Sequence, residues 1–108
     1  IIGNVKGKTC IIVDDIIDSG GTIVNAVDAL KKAGAVEVYV FITHAVLSGE
    51  AVSKIQKSKI KKLIITDSID NTAKIKNNSK IEVLSIAQLM AEAIKRISNS
   101  TSVSDLFN

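Results

Sequence analysis

Thr9-Cys10-Ile11-Ile12-Val13-Asp14-Asp15-Ile16-Ile17-Asp18-Ser19-Gly20-Gly21-Thr22 runs from apolar residues into acids, hydroxyls and two adjacent glycines. Thr9 to Val13 is short and almost wholly apolar, which predicts a strand buried on both faces, as in a parallel sheet. Asp14 to Gly21 predicts a loop. Beyond it, Ile23, Ala26, Val27 and Leu30 fall at i, i+3, i+4 and i+7, the apolar stripe of an amphipathic helix. Asn25, Asp28, Lys31 and Lys32 take the opposite face. The two lysines suit the negative end of the helix dipole, and Gly34 stands where a left-handed C-cap residue is expected.

The same alternation continues downstream. Val36 to Ile42 predicts a second strand from its β-branched and aromatic content. Ser48-Gly49 marks a loop, and a helix is expected from Glu50 to about Lys57, with Ala51, Val52 and Ile55 inward. Leu63 to Ile65 predicts a third strand. Thr66 to Ser79 is polar and reads mostly as loop, with Asp67 and Asp70 at its surface. Ile81 to Leu84 predicts a fourth strand. Ser85 is expected to cap a last helix, with Gln88 completing a capping box. That helix would bury Ile86, Leu89, Met90, Ala93, Ile94 and Ile97, with Met90 as core filler. From Ser98 the chain becomes a polar tail ending in Leu106 and Phe107. The expectation is one α/β domain over residues 1–97 and a tail over 98–108. Strands alternating with helices give βαβ units and a parallel sheet. Ligands bind such sheets beyond the carboxyl ends of the strands, which singles out the loops Asp14–Thr22 and Thr43–Gly49.

The 108 residues are 46% hydrophobic and 23% charged, so a soluble globular chain is expected. Aromatic residues make up 3%, which leaves the core to Ile, Val, Leu and Ala. The net charge of +3 is mildly basic. Much of it sits in Lys54, Lys57, Lys59, Lys61 and Lys62, which have no aromatic neighbours on which bases would stack. A solvated surface is therefore preferred to nucleic-acid binding. Cys10 is the single cysteine, so an internal disulfide and a cysteine zinc site are excluded. A buried thiol and a reducing cytoplasm follow as expectations. No signal peptide is visible and no apolar run reaches the roughly 18 residues that span a membrane. Ile1 in place of methionine predicts a trimmed terminus or a fragment.

The acidic, glycine-bearing segment carries the chemistry. A helix that begins at its end presents backbone N–H groups with no intrahelical partner, and with the dipole these attract an anion, phosphate above all. Gly20 and Gly21 allow close backbone approach and unusual torsions. Ser19 and Thr22 add hydroxyl donors. Asp14 and Asp15 repel each other unless something hydroxylic or cationic lies between them. A sugar diol supplies the first, and Mg²⁺ held by carboxylates and substrate oxygens supplies the second. A phosphate at one end and a diol at the other describe ribose 5-phosphate. Asp18 does not suit a phosphate directly; it either orients the loop by accepting N–H bonds or acts nearer the sugar. Two plainer readings compete. Asp, Ser and Gly form turns, but a turn does not account for an acid pair after an apolar strand. A receiver domain also has an Asp pair after a Val-rich strand, but without a following Gly-Gly-Thr.

Val13 to Thr22 resembles the phosphoribosyl-pyrophosphate (PRPP) signature of type I phosphoribosyltransferases, and more narrowly that of the ribose-phosphate pyrophosphokinases. Gly3-Asn4-Val5-Lys6-Gly7-Lys8, Thr43-His44-Ala45-Val46-Leu47-Ser48-Gly49 and Ser102-Val103-Ser104-Asp105-Leu106-Phe107 are similar to that family's lead-in, histidine loop and C-terminal end. The resemblance implies an incomplete type I phosphoribosyltransferase-like fold. It implies diphosphate transfer from MgATP to the 1-hydroxyl of ribose 5-phosphate, giving PRPP and AMP in nucleotide biosynthesis. It places Asp14 and Asp15 on the ribose hydroxyls or on Mg²⁺, and Asp18, Ser19, Gly20, Gly21 and Thr22 on the 5-phosphate. Ser102, Ser104 and Phe107 match the part of the tail that binds a regulatory phosphate or nucleotide at a subunit interface in a homo-oligomer. Ser19-Gly20 replaces the Thr-Ala or Thr-Cys of many members, and the proline often found after Asp67 is absent. The ATP site, the basic catalytic loop and the diphosphate loop belong to upstream regions, so ATP is expected as a partner only with them and the chain alone is expected to be inactive. No catalytic residue is assigned; His44 is left as either a substrate contact or a histidine satisfied by a backbone neighbour. A PRPP-using transferase and a non-catalytic regulatory or degenerate remnant are the alternative functions.

Overall fold

The computed structural model describes residues 3–99 and 102–107. Its elements are β1 (Thr9–Ile17), α1 (Gly21–Lys32), β2 (Glu37–Ala45), α2 (Ala51–Lys57), β3 (Lys62–Thr66), α3 (Thr72–Ile75), β4 (Ile81–Leu84) and α4 (Ala87–Ser98), followed by a 3-10 turn at Ser104–Phe107. The four strands form one parallel sheet in the order β1-β2-β3-β4. Each strand lies beside its predecessor in sequence, and the expected α/β class is the observed one.

The core follows from the period-2 alternation of the strands. Val38, Val40 and Ile42 of β2 and Leu63 and Ile65 of β3 are buried, and they pack with Ile23 and Val27 of α1 and Ala51 and Ile55 of α2. Burying each large aliphatic side chain stabilises the fold by about 1.5–3 kcal/mol. Cys10 is partly buried against this core.

β1 is not buried on both faces. Ile11 is 61% and Val13 77% exposed. The cause is topological. Every connection steps one strand in the same direction, and right-handed crossovers then place the connecting helices on one face. The alternate residues Ile11, Val13, Phe41 and Leu84 are left exposed.

Two strands run further than propensity predicts. β1 continues through Asp14 and Asp15 to Ile17, and β2 continues to Ala45, because the two pair as far as Ile16 with His44 and Ile17 with Ala45. The segment between β3 and β4 is not wholly loop, since it contains α3.

α1 ends as the sequence predicts. Gly34 takes φ +102°; its N–H donates to the Lys31 carbonyl at 3.1 Å and the Ala35 N–H to the Leu30 carbonyl at 3.0 Å. This is the Schellman pattern.

α4 differs from expectation. It begins at Ala87 with no side-chain cap. The Ser85 hydroxyl accepts the Ala87 N–H at 3.2 Å, without the return bond of a capping box. No residue of α4 is buried, and Met90, Ile94 and Ile97 lie at the surface, because no other described element covers its apolar side.

Candidate functional site

β1 delivers its carboxyl end directly to α1, so the loop between them is only Asp18, Ser19 and Gly20. Gly20 is the N-cap residue and holds φ +87°, a left-handed torsion that favours glycine. Gly21 is different: it is already helical, and a Cβ placed on it would meet nothing within 4 Å. The first helical amide with an intrahelical partner is that of Val24, which donates to the Gly20 carbonyl at 3.0 Å. The amides of Gly21, Thr22 and Ile23 therefore have none within the helix. Ser19 and Thr22 are exposed, and their hydroxyls make no hydrogen bond among the described residues.

These groups border a cleft of about 270 Å³ lined by Asp14, Ile16, Ile17, Asp18, Ser19, Gly20, Thr22 and Ile23. The expected acid and the expected anion loop thus share one wall. Asp15 is not part of that wall: successive strand residues face opposite sides, and Asp15 follows Asp14 within β1. The Asp14 carboxylate accepts the Asp15 N–H at 2.7 Å, which draws it along the strand end. Among the described residues no three His, Cys, Asp or Glu side chains gather to hold a metal ion. A divalent cation at this carboxylate pair would need substrate oxygens to complete its shell.

The second loop braces the first. The Val46 and Leu47 amides donate to the Ile17 carbonyl at 2.9 and 3.4 Å, and the Ser48 amide donates to the Asp18 carbonyl at 3.0 Å. The Ser48 hydroxyl donates to the Asp18 carboxylate. The Asp18 carboxylate is thus met by a hydroxyl rather than by the N–H groups expected of a loop-orienting role. Leu47 lies at φ +53° and is buried. That torsion costs about 1–2 kcal/mol for an L residue, offset by burying its side chain.

His44 lies inside β2 and bonds through Nδ1 to the Ser68 hydroxyl at 2.9 Å, so its neighbour is a side chain rather than backbone. It does not line the cleft. Asp67 is not a free surface acid. It accepts the Ile86 N–H at 2.8 Å, and that bond, then one from the Ser85 hydroxyl, holds its carboxyl below the ordinary carboxylate value. The Thr72 hydroxyl and amide lower Asp70 in the same way. In the tail, the Ser102 and Ser104 hydroxyls lie 2.8 Å apart, and Arg96 Nη1 donates to the Ser102 carbonyl at 3.1 Å. Phe107 closes the 3-10 turn; its side chain lies outside the described residues. None of these tail residues lines the cleft.

In the sequence Ser48 was visible as a loop residue within the singled-out stretch Thr43–Gly49, with no role of its own. Its role depends on two strands ending side by side, which no local pattern reveals.

Residues 1–108 match the family model described as a phosphoribosyl synthetase-associated domain. The ribose-phosphate pyrophosphokinase of Agrobacterium fabrum is 52% identical over the whole chain, which covers 35% of that protein. The ribose-phosphate pyrophosphokinase of Clostridium tetani is 54% identical over the whole chain, which covers 33% of it. The crystal structure of phosphoribosylpyrophosphate synthetase from Mycobacterium smegmatis superimposes with a TM-score of 0.87 at 40% identity, over 92% of this chain and 33% of that one. The chain spans about a third of the length of the relatives it matches.

Proposed function

Because this chain belongs to the phosphoribosyl synthetase-associated domain family, we propose that it supplies the ribose 5-phosphate site of a ribose-phosphate pyrophosphokinase. The observation that carries this reading is the shared wall of one cleft: Asp14 at one end, and Asp18, Ser19, Gly20 and Thr22 at the other. The free amides and hydroxyls take the 5-phosphate, while Asp14, with Asp15 beside it, takes the ribose hydroxyls. Asp14, on the cleft wall, is the carboxylate that would hold Mg²⁺ together with substrate oxygens, and the ion would supply positive charge to the bound sugar phosphate.

Diphosphate transfer spreads charge over phosphate oxygens and needs cations to stabilise it. No lysine or arginine lines the cleft. The chain therefore binds sugar phosphate and PRPP, while the ATP site and the transferring cations belong to the two thirds of its relatives that it does not span. Ser102, Ser104 and Phe107 belong to a regulatory phosphate or nucleotide site of the homo-oligomer, in a reducing cytoplasm that suits the single thiol.

Calorimetric titration tests the proposal. Ribose 5-phosphate should bind with Mg²⁺ present. Replacing both Asp14 and Asp15 by Asn should weaken ribose 5-phosphate while leaving inorganic phosphate affinity nearly unchanged. Absence of binding, or equal loss for both ligands, would overturn the assignment of the two ends. With MgATP and ribose 5-phosphate, the chain alone should release no AMP.

A further inference from the structure

Asn71 and Lys74 lie at and within α3, yet their side chains reach the main chain that follows β2. Lys74 Nζ donates to the Val46 carbonyl at 3.0 Å and to the Leu47 carbonyl at 3.3 Å. Asn71 Nδ2 donates to the Ala45 carbonyl at 2.7 Å. Three consecutive carbonyls are held from one side. From the other side the amides of Val46, Leu47 and Ser48 donate to the Ile17 and Asp18 carbonyls, and the Ser48 hydroxyl donates to the Asp18 carboxylate. The stretch is thus bonded to α3 on one flank and to the start of the anion loop on the other.

Two details show that this stretch is held rather than merely packed. Leu47 keeps φ +53°, a torsion that persists only where the surroundings over-determine it, and Lys74 grips its carbonyl and the one before. Asn71 is 5% exposed, and its Oδ1 meets no donor among the described residues. A buried acceptor left so is costly, and the bond from the same amide to Ala45 is what the position gains. Neither side chain lines the cleft.

We infer that Asn71 and Lys74 are positioning residues for the anion loop, acting through Ala45–Ser48 on Asp18 and setting sugar phosphate affinity without touching the ligand. The ligand part rests on the ribose 5-phosphate reading; the mechanical link does not. Lys74 is exposed, so Lys74→Met removes the donor while keeping the aliphatic stem.

The test records amide spectra, melting temperature and ribose 5-phosphate titrations of the 108-residue chain and its Lys74→Met, Lys74→Arg and Ser48→Ala variants. In the ligand-free chain, Lys74→Met should move the resonances of Val46 to Ser48 and also those of Asp18 to Gly21, with little change in melting temperature. Its affinity for ribose 5-phosphate should fall on the order of fivefold, and Lys74→Arg should restore both. Ser48→Ala should reproduce the changes at Asp18 to Gly21. Unchanged Asp18 to Gly21 resonances in Lys74→Met overturn the inference. So does a loss that tracks a fallen melting temperature and is not rescued by arginine. If the wild-type chain fails to bind while Lys74→Met still moves Asp18 to Gly21, the ligand reading falls and the link to the loop stands.

Discussion

Gly20 holds φ +87°, whereas its neighbour Gly21 is helical and a Cβ there would meet nothing within 4 Å. The two glycines therefore separate folding from binding. In Gly20→Ala the new methyl would meet Ala51 at 3.8 Å, an ordinary contact, so the cost is torsional. Urea denaturation should show a loss of about 1–2 kcal/mol. Gly21→Ala should leave stability within about 1 kcal/mol, since alanine favours the helix. Gly21 does not line the cleft, but its amide is one of those proposed to take the phosphate, and a methyl crowding that amide should reduce ribose 5-phosphate affinity by calorimetry at least about tenfold. Normal binding by Gly21→Ala would place the anion elsewhere. The part of the cleft wall formed by Asp14, Asp18, Ser19, Gly20 and Thr22 was legible as one polar, glycine-bearing segment because those residues are nearly contiguous in sequence. Ser48, Asn71 and Lys74 were not, because only the tertiary fold brings Ser48 to Asp18 and brings Asn71 and Lys74 to the main chain of Ala45 to Leu47.

At the scale of the element, α4 is anchored at its start rather than along its length. The Ile86 N–H is held by Asp67, whose carboxyl is lowered below its ordinary value of 3.8 by that amide first and by the Ser85 hydroxyl second. A carboxyl depressed in the fold contributes stability that is fully present above its ordinary value and is lost as pH falls through the lowered one. Amide exchange should show the protection of Ile86, relative to Val83, constant at neutral pH and collapsing below 3.8. Asp67→Ala should lower that protection at neutral pH and abolish its pH dependence. The same elements show where local reading ends. Periodicity placed α1 and α2 to within a residue or two, because their stripes meet a core. Aspartate is disfavoured in strands, so propensity stops β1 at Val13; pairing with β2 overrides it as far as Ile17. The stripe of α4 was equally clear, but a stripe reveals an apolar side and not whether anything covers it.

At the scale of the whole molecule, the radius of gyration is 16.4 Å and the extents are 51 × 35 × 19 Å. A compact chain of about 100 residues has a radius near 13 Å. The excess accompanies apolar surface left open: Ile11 and Val13 on the sheet, and Ile94 and Ile97 on α4. Contiguous patches of this kind drive association. Sedimentation should show the chain self-associating at micromolar concentration, and Ile11→Lys combined with Ile97→Lys should shift it toward monomer without lowering the melting temperature. An unchanged sedimentation profile would mean that these faces are not what brings copies together. The strand order β1-β2-β3-β4 also bears on how the fold is reached. No strand waits for one made much later, so assembly can follow the order in which a ribosome releases the chain. Stopped-flow refolding should accordingly finish within about a second, and truncation after β3 should leave the first three strands competent to assemble.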